Sequence, residues 1–174
     1  MDLHRIDHIA IATDDLEGAV RLFCDVFGAT FVTGGDDEPK GIRTVQVQLP
    51  QVKIELLAPL HEGSYLHHHL ERHGPGFHHM TMFVENVEEA VTEVKAAGYE
   101  TVDVNLLHPA WREAYIRPRS GFGTLIQLVD TDRRWDIGKP GVTLEDVLDG
   151  RIVWVGHEAY HREDAPDPAA QGAR

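Results

Sequence analysis

The sequence predicts an α+β chain in which one βαβββ module is used twice. Three observations carry this. His8 opens the strand-like run HIAIA, and His79 opens HMTMFV 71 residues later. Glu55 in VKIELL and Gln127 in TLIQLV then follow their histidines by 47 and 48 residues. Between those landmarks each half runs strand, helix and three further extended segments. Solenoid units are shorter and need at least three copies, so a duplicated module fits the spacing better. The modules span residues 5–62 and 76–130, with a C-terminal extension over 131–161 and a disordered tail over 162–174.

The elements follow from local signals. In the first module Asp14 and Glu17 have capping-box spacing, Leu16, Val20 and Phe23 form an apolar helical face, and Gly28 ends it. Asn86 and Glu89 repeat the cap in the second, followed by Val87, Val91 and Val94 and closed by Gly98. GATFV, RTVQVQL and VKIELL supply the later strands of the first module; GYETVDV, REAYI and TLIQLV supply those of the second. Alternation in RTVQVQL turns Val45, Val47 and Leu49 toward a helix and leaves Thr44, Gln46 and Gln48 on the opposite face. The shared pairs Arg43-Thr44 and Arg112-Glu113 align Glu113 with Thr44, and Tyr115 and Arg117 share the Glu113 face. Between the modules a short helix is predicted over 64–72, broken at Gly74-Pro75-Gly76. In the extension a short helix starts near Thr143 and RIVWV reads as a strand.

Composition narrows the function classes. A length of 174 residues with 42% hydrophobic content suits a globular chain with a sizeable core. A net charge of −13 with no basic stretch argues against nucleic acid or an anionic membrane as partner. No apolar run approaches the roughly 20 residues that span a bilayer, and MDLHRIDH lacks a signal-peptide pattern, so a cytoplasmic location is expected. The single Cys24, set in AVRLFCDVFG, reads as a small buried hydrophobe.

The matched polar residues are the candidate chemistry. Imidazole, carboxylate and amide oxygen suit first-row divalent ions, and His8, Glu55, His79 and Gln127 would leave an octahedral ion two exchangeable positions. A lone histidine in an apolar strand is usually structural; recurrence at matching places in two modules favours metal binding. His67, His68, His69 and His73 in the linker compete for that role, but adjacent helical residues point in different directions, so a solvated surface helix is the better reading. His78 is assigned a packing or ligand-orienting role beside His79.

The segments IDHIAIATDDLEGAVRLF, KIELLAPL, HGPGFHHMTMFVENVEEAV and RPRSGFGTLIQL resemble the vicinal oxygen chelate superfamily of glyoxalases, bleomycin resistance proteins and dioxygenases, and within it the methylmalonyl-CoA epimerases. The resemblance covers residues 5 to about 130. It implies curved sheets enclosing a metal, with His8, Glu55 and His79 as ligands, a cofactor among cobalt, nickel, manganese, zinc and iron, and a homodimer. The fourth position departs from that pattern, which carries a glutamate able to act as a base; here it is Gln127. Some such epimerases also carry a glutamate where this chain has Thr44.

The expected function is therefore a metal-dependent enzyme that stabilises an enolate by bidentate chelation. Epimerisation or isomerisation of an acyl-CoA thioester leads, with Glu113 as substitute base and Gln127 beside it. Arg112, Arg117 and Arg119 form a local basic group for CoA phosphates. The alternatives are a glyoxalase I-like lyase, a ferrous dioxygenase, and a non-catalytic drug-sequestering protein.

Overall fold

The computed structural model describes residues 1–132 and 138–167. Its strands are β1 (Leu3–Ala12), β2 (Thr30–Asp37), β3 (Ile42–Gln48), β4 (Lys53–Pro59), β5 (Gly76–Val84), β6 (Thr101–Asn105), β7 (Arg112–Ile116), β8 (Leu125–Asp130), β9 (Ile152–Val155) and β10 (Glu158–His161). The helices are α1 (Leu16–Val20), α2 (Tyr65–His73), α3 (Val87–Ala96) and α4 (Leu144–Leu148). The predicted order of strand, helix and three strands occurs twice. The chain forms two compact units. One comprises Met1–Ala10 with the stretch from Phe77 to Asp132; the other comprises Ile11–Gly76 with the described residues from Gly138 onward. Most of β1 thus clusters with the second module's strands.

In the unit containing β5, strands run in the order β1-β5-β8-β7-β6. β5 and β8 are parallel with Thr81 opposite Gln127, and β8 and β7 are antiparallel with Gln127 opposite Tyr115. Side chains alternate faces along a strand. Met82, Val84, Ala114, Ile116, Ile126 and Leu128 pack with Val87, Ala90, Val91 and Val94 of α3 in one apolar cluster. The opposite face therefore carries His79, Thr81, Glu113, Tyr115 and Gln127. Asn86 caps α3 by accepting from the Glu89 backbone N–H, as its sequence position predicts.

The other unit orders its strands β10-β9-β2-β3-β4. Val45, Val47 and Leu56 are fully buried, while Gln46 lies opposite Glu55 and Thr44 opposite Leu57. This register repeats in the other unit, where Tyr115 faces Gln127 and Glu113 faces Val129. Glu113 and Thr44 hold equivalent places, in agreement with the alignment of the two Arg-led pairs.

Three local expectations change. Asp15, not Asp14, caps α1, accepting from the Gly18 N–H at 2.8 Å. After one turn α1 widens into a π-helix over Arg21–Val26, whose i to i+5 bonding breaks the 3.6-residue periodicity. Leu22, Val26 and Phe27 are consequently exposed, and Cys24 is half-buried rather than in the core. Burial, and secondarily Asp25, push the Cys24 thiol up, which disfavours the nucleophilic thiolate.

Ser64 caps α2 and Thr143 caps α4 through a full capping box with Asp146, while RIVWV forms β9; the hairpin partner β10 was not anticipated. The predicted tail lies largely outside the described residues, although Arg162–Asp164 form a 3-10 turn. The extension is fastened to β2 by Asp36, 2% exposed, which accepts from Arg43 Nε at 2.6 Å, Arg43 Nη2 at 3.0 Å and Arg162 Nη2 at 2.7 Å. Arg43 also donates to the Leu148 carbonyl at 2.6 Å. Asp36→Asn keeps the shape and leaves Arg43 without its counter-charge, while Arg162 retains Glu38. It should cost about 2 kcal/mol, below the range for fully buried pairs because both arginines are partly solvated, as read from the urea midpoint at unchanged slope.

Candidate active site

The polar face of the β1-β5-β8-β7 run is linked by hydrogen bonds from end to end. Asp7 Oδ2 lies 2.8 Å from His8 Nδ1, and both residues are buried. A carboxylate only accepts, so the Nδ1 proton points at Asp7, and Nε2 is the ring atom turned to the Thr81 side. His8 Nε2 lies 2.9 Å from Thr81 Oγ1, and Thr81 donates to Gln127 Oε1 at 2.6 Å. His79 stands beside His8, ring centroids 5.5 Å apart and edge to face. Its Nδ1 is 2.8 Å from His78 Nδ1, so His78 touches His79 as an orienting partner despite being its strand neighbour.

The Gln127 amide can point only one way. Its Nε2 donates to Glu113 Oε2 at 2.6 Å and to the Tyr115 hydroxyl at 2.8 Å. Glu113 cannot donate as a carboxylate, so the amide NH2 must face it and the carbonyl oxygen must face Thr81 and His8. Tyr115 in turn donates to Glu113 Oε2 at 3.1 Å, and Trp111 Nε1 donates to the same atom at 2.9 Å. Three donors thus fix one oxygen of Glu113. Among the described residues Oε1 makes no hydrogen bond. Glu113 does not pair with its neighbour Arg112, whose Nε donates to buried Asp130 at 2.5 Å.

Glu55 lies on β4 of the other unit, half-buried, and accepts from Gln46 Nε2 at 2.8 Å. Gln46 Oε1 is buried with no hydrogen-bond partner among the described residues. Buried carbonyls without a partner are uncommon and often mark a place for water or a ligand.

Sequence reasoning missed Asp7, Thr81 and Trp111. Thr81 was within reach: it stands two residues after His79 and is fully buried, so strand alternation alone puts it on the histidine face. Of the proposed basic group, Arg112 is committed to Asp130 and Arg119 to the exposed Glu100. The linker histidines lie on α2, where His67 and His68 approach Glu71 at 3.6 and 3.3 Å and the His69 and His73 rings are 4.8 Å apart. Burial and then the neighbouring His73 hold His69 below the usual imidazole range.

Residues 7–115 match the sequence pattern of the glyoxalase/bleomycin resistance protein/dioxygenase superfamily. The chain belongs to that superfamily. Among its relatives in the superfamily, an ethylmalonyl-CoA/methylmalonyl-CoA epimerase from Cereibacter sphaeroides is 38% identical over 95 residues, spanning 54% of this chain and 71% of that protein. The mitochondrial methylmalonyl-CoA epimerase of Mus musculus is 35% identical over 129 residues, 72% of each chain. The crystal structure of methylmalonyl-CoA epimerase from Mycobacterium tuberculosis superimposes with a TM-score of 0.65 at 27% identity, covering 74% of this chain and 88% of that one. The mixed sheets with few helices match the vicinal oxygen chelate fold of that superfamily structure.

The donor set suits a divalent ion: two imidazoles, one already oriented by a carboxylate, and an amide oxygen turned to the same side. Asp7→Ala removes the acceptor that orients the His8 ring. It should weaken divalent-ion binding about 10- to 100-fold, measured by competition with a chromophoric chelator.

Proposed function

We propose that this chain is a metal-dependent acyl-CoA epimerase acting on a 2-substituted malonyl thioester, with His8, Glu55, His79 and Gln127 as ligands and Glu113 as the base. The reading rests on epimerase relatives together with one observation, the Glu113 carboxylate held by Trp111, Tyr115 and Gln127 beside the histidine row. Glu55 is included because its register position in its own unit equals that of Gln127.

A bound divalent ion supplies positive charge to the substrate's thioester and carboxylate oxygens. The remaining work falls to side chains. Asp7 and His78 orient the two imidazoles. Glu113 Oε1 takes the proton from the α-carbon, and the C–H electron pair moves toward the thioester oxygen. Solvent water then delivers a proton to the other face of the now planar carbon, whose electron pair returns from the thioester oxygen and so inverts the centre, and Glu113 gives its proton back to solvent.

The Glu113 cluster also accounts for an amide at position 127. A carboxylate there would stand at hydrogen-bond distance from Glu113, and two carboxylates that close cannot both ionise. An amide at 127 and a carboxylate at 113 therefore suit one another. Incubating one epimer of methylmalonyl-CoA or ethylmalonyl-CoA with metal-loaded protein should move the circular dichroism of the thioester to the same plateau that the other epimer reaches, as the two equilibrate. A signal that stays constant for both would remove this reading.

A further inference from the structure

We propose that Trp154, delivered by the C-terminal extension, is a specificity-determining residue that limits the size of the acyl group. This rests on the epimerase reading above and adds to it a residue beyond the region of family resemblance. β9 lies beside β2 in parallel, with Val153 opposite Asp36. In RIVWV, Ile152, Val153 and Val155 are buried while Trp154 is half-buried. Its indole crosses β2 at Gly35: a Cβ there would stand 3.3 Å from Trp154 Nε1 and 3.1 Å from Ile152 Cγ2. Glycine at 35 is what lets the ring lie close against the strand.

Trp154 Nε1 donates to Thr44 Oγ1 at 3.0 Å, which assigns the ring to a face. Thr44 and Gln46 are two residues apart on β3 and share that face, and Gln46 donates to Glu55. The indole therefore sits on the Glu55-bearing face, roughly 7 Å along the strand from the Gln46-Glu55 row at a rise of about 3.3 Å per residue. Thr44 is the register equivalent of Glu113. Where one unit presents a carboxylate, the other presents a hydroxyl engaged by a large ring.

The ring is held firmly. The Asp36 cluster clamps Arg162 just after β10, and Arg162 Nε donates to the Gly150 carbonyl at 2.6 Å just before β9. A Cβ at Gly34 would collide with the Thr44 carbonyl oxygen and stand 3.1 Å from Cγ1 of fully buried Val147, so the first glycine of the Gly34-Gly35 pair admits β3 and α4 as the second admits the indole.

The test is α-proton exchange in deuterated water with malonyl-CoA thioesters bearing methyl, ethyl and butyl α-substituents. Trp154→Ala should raise kcat/KM for the butyl relative to the methyl substrate about tenfold or more, the scale of one to two methylenes in a pocket. Trp154→Phe, which keeps bulk and loses the N–H, should hold the wild-type ratio within about threefold of its value. An unchanged ratio in Trp154→Ala, with methyl turnover retained, would overturn the proposal. Trp154→Leu is measured in parallel, and failure of both Ala and Leu variants to fold would assign the indole to stability alone and also overturn it. A wild-type protein silent toward every thioester would instead remove the epimerase reading, and this inference with it.

Discussion

Replacing Glu113 with glutamine is expected to slow α-proton exchange by about 10²- to 10⁴-fold, the usual contribution of a positioned general base. The amide is nearly isosteric and its oxygen can still accept from Trp111 and Tyr115, so the fold and substrate KM should change little. It cannot take a proton from carbon. Gln127→Glu, which restores the superfamily's usual residue, should also lower activity, because it sets a second carboxylate against Glu113 where Gln127 Nε2 now donates at 2.6 Å. The double variant with both changes returns one carboxylate and one amide to the pair. It should be more active than the product of the two single effects, a coupling that a double-mutant cycle measures directly. Additive losses would show that the two positions act independently and would contradict the exchange of roles.

Converting His79 to alanine should remove the metal altogether. It takes away one of the two proposed nitrogen ligands and breaks the contact with His78 at 2.8 Å. Elemental analysis of protein purified without a chelating resin should fall from near-stoichiometric to trace, and exchange activity should fall with it. The other unit, with its own core around Val45, Val47 and Leu56, should keep its far-UV circular dichroism. Full metal content in the variant would refute the ligand assignment.

Much of this arrangement was legible because it rests on short-range rules. Period-2 alternation put Glu113 and Tyr115 on one face, and the repeat put that face beside the strand bearing Gln127; β7 and β8 pair in that register. Caps at Ser64, Asn86 and Thr143 were readable because the capping side chain and the backbone N–H it accepts from lie within three residues. Asp14 and Asp15 both fit a cap chemically, and only the path of the chain into α1 chooses Asp15.

What alternation hides is Asp7. Neighbouring strand residues nominally face apart, yet a short carboxylate bends round to the next residue's Nδ1. Trp154 was hidden for another reason. Its partners Gly35 and Thr44 are more than a hundred positions away in sequence, and no local pattern announces such a contact.

The most direct test of the central claim is proton exchange at the α-carbon of methylmalonyl-CoA, followed by NMR in deuterated water with metal-loaded wild-type protein. The account predicts loss of the α-proton signal at an enzymatic rate, abolished by chelation and restored by adding back a divalent ion. A signal that persists with methylmalonyl-CoA and with larger malonyl thioesters, in protein shown to hold its metal, would contradict it.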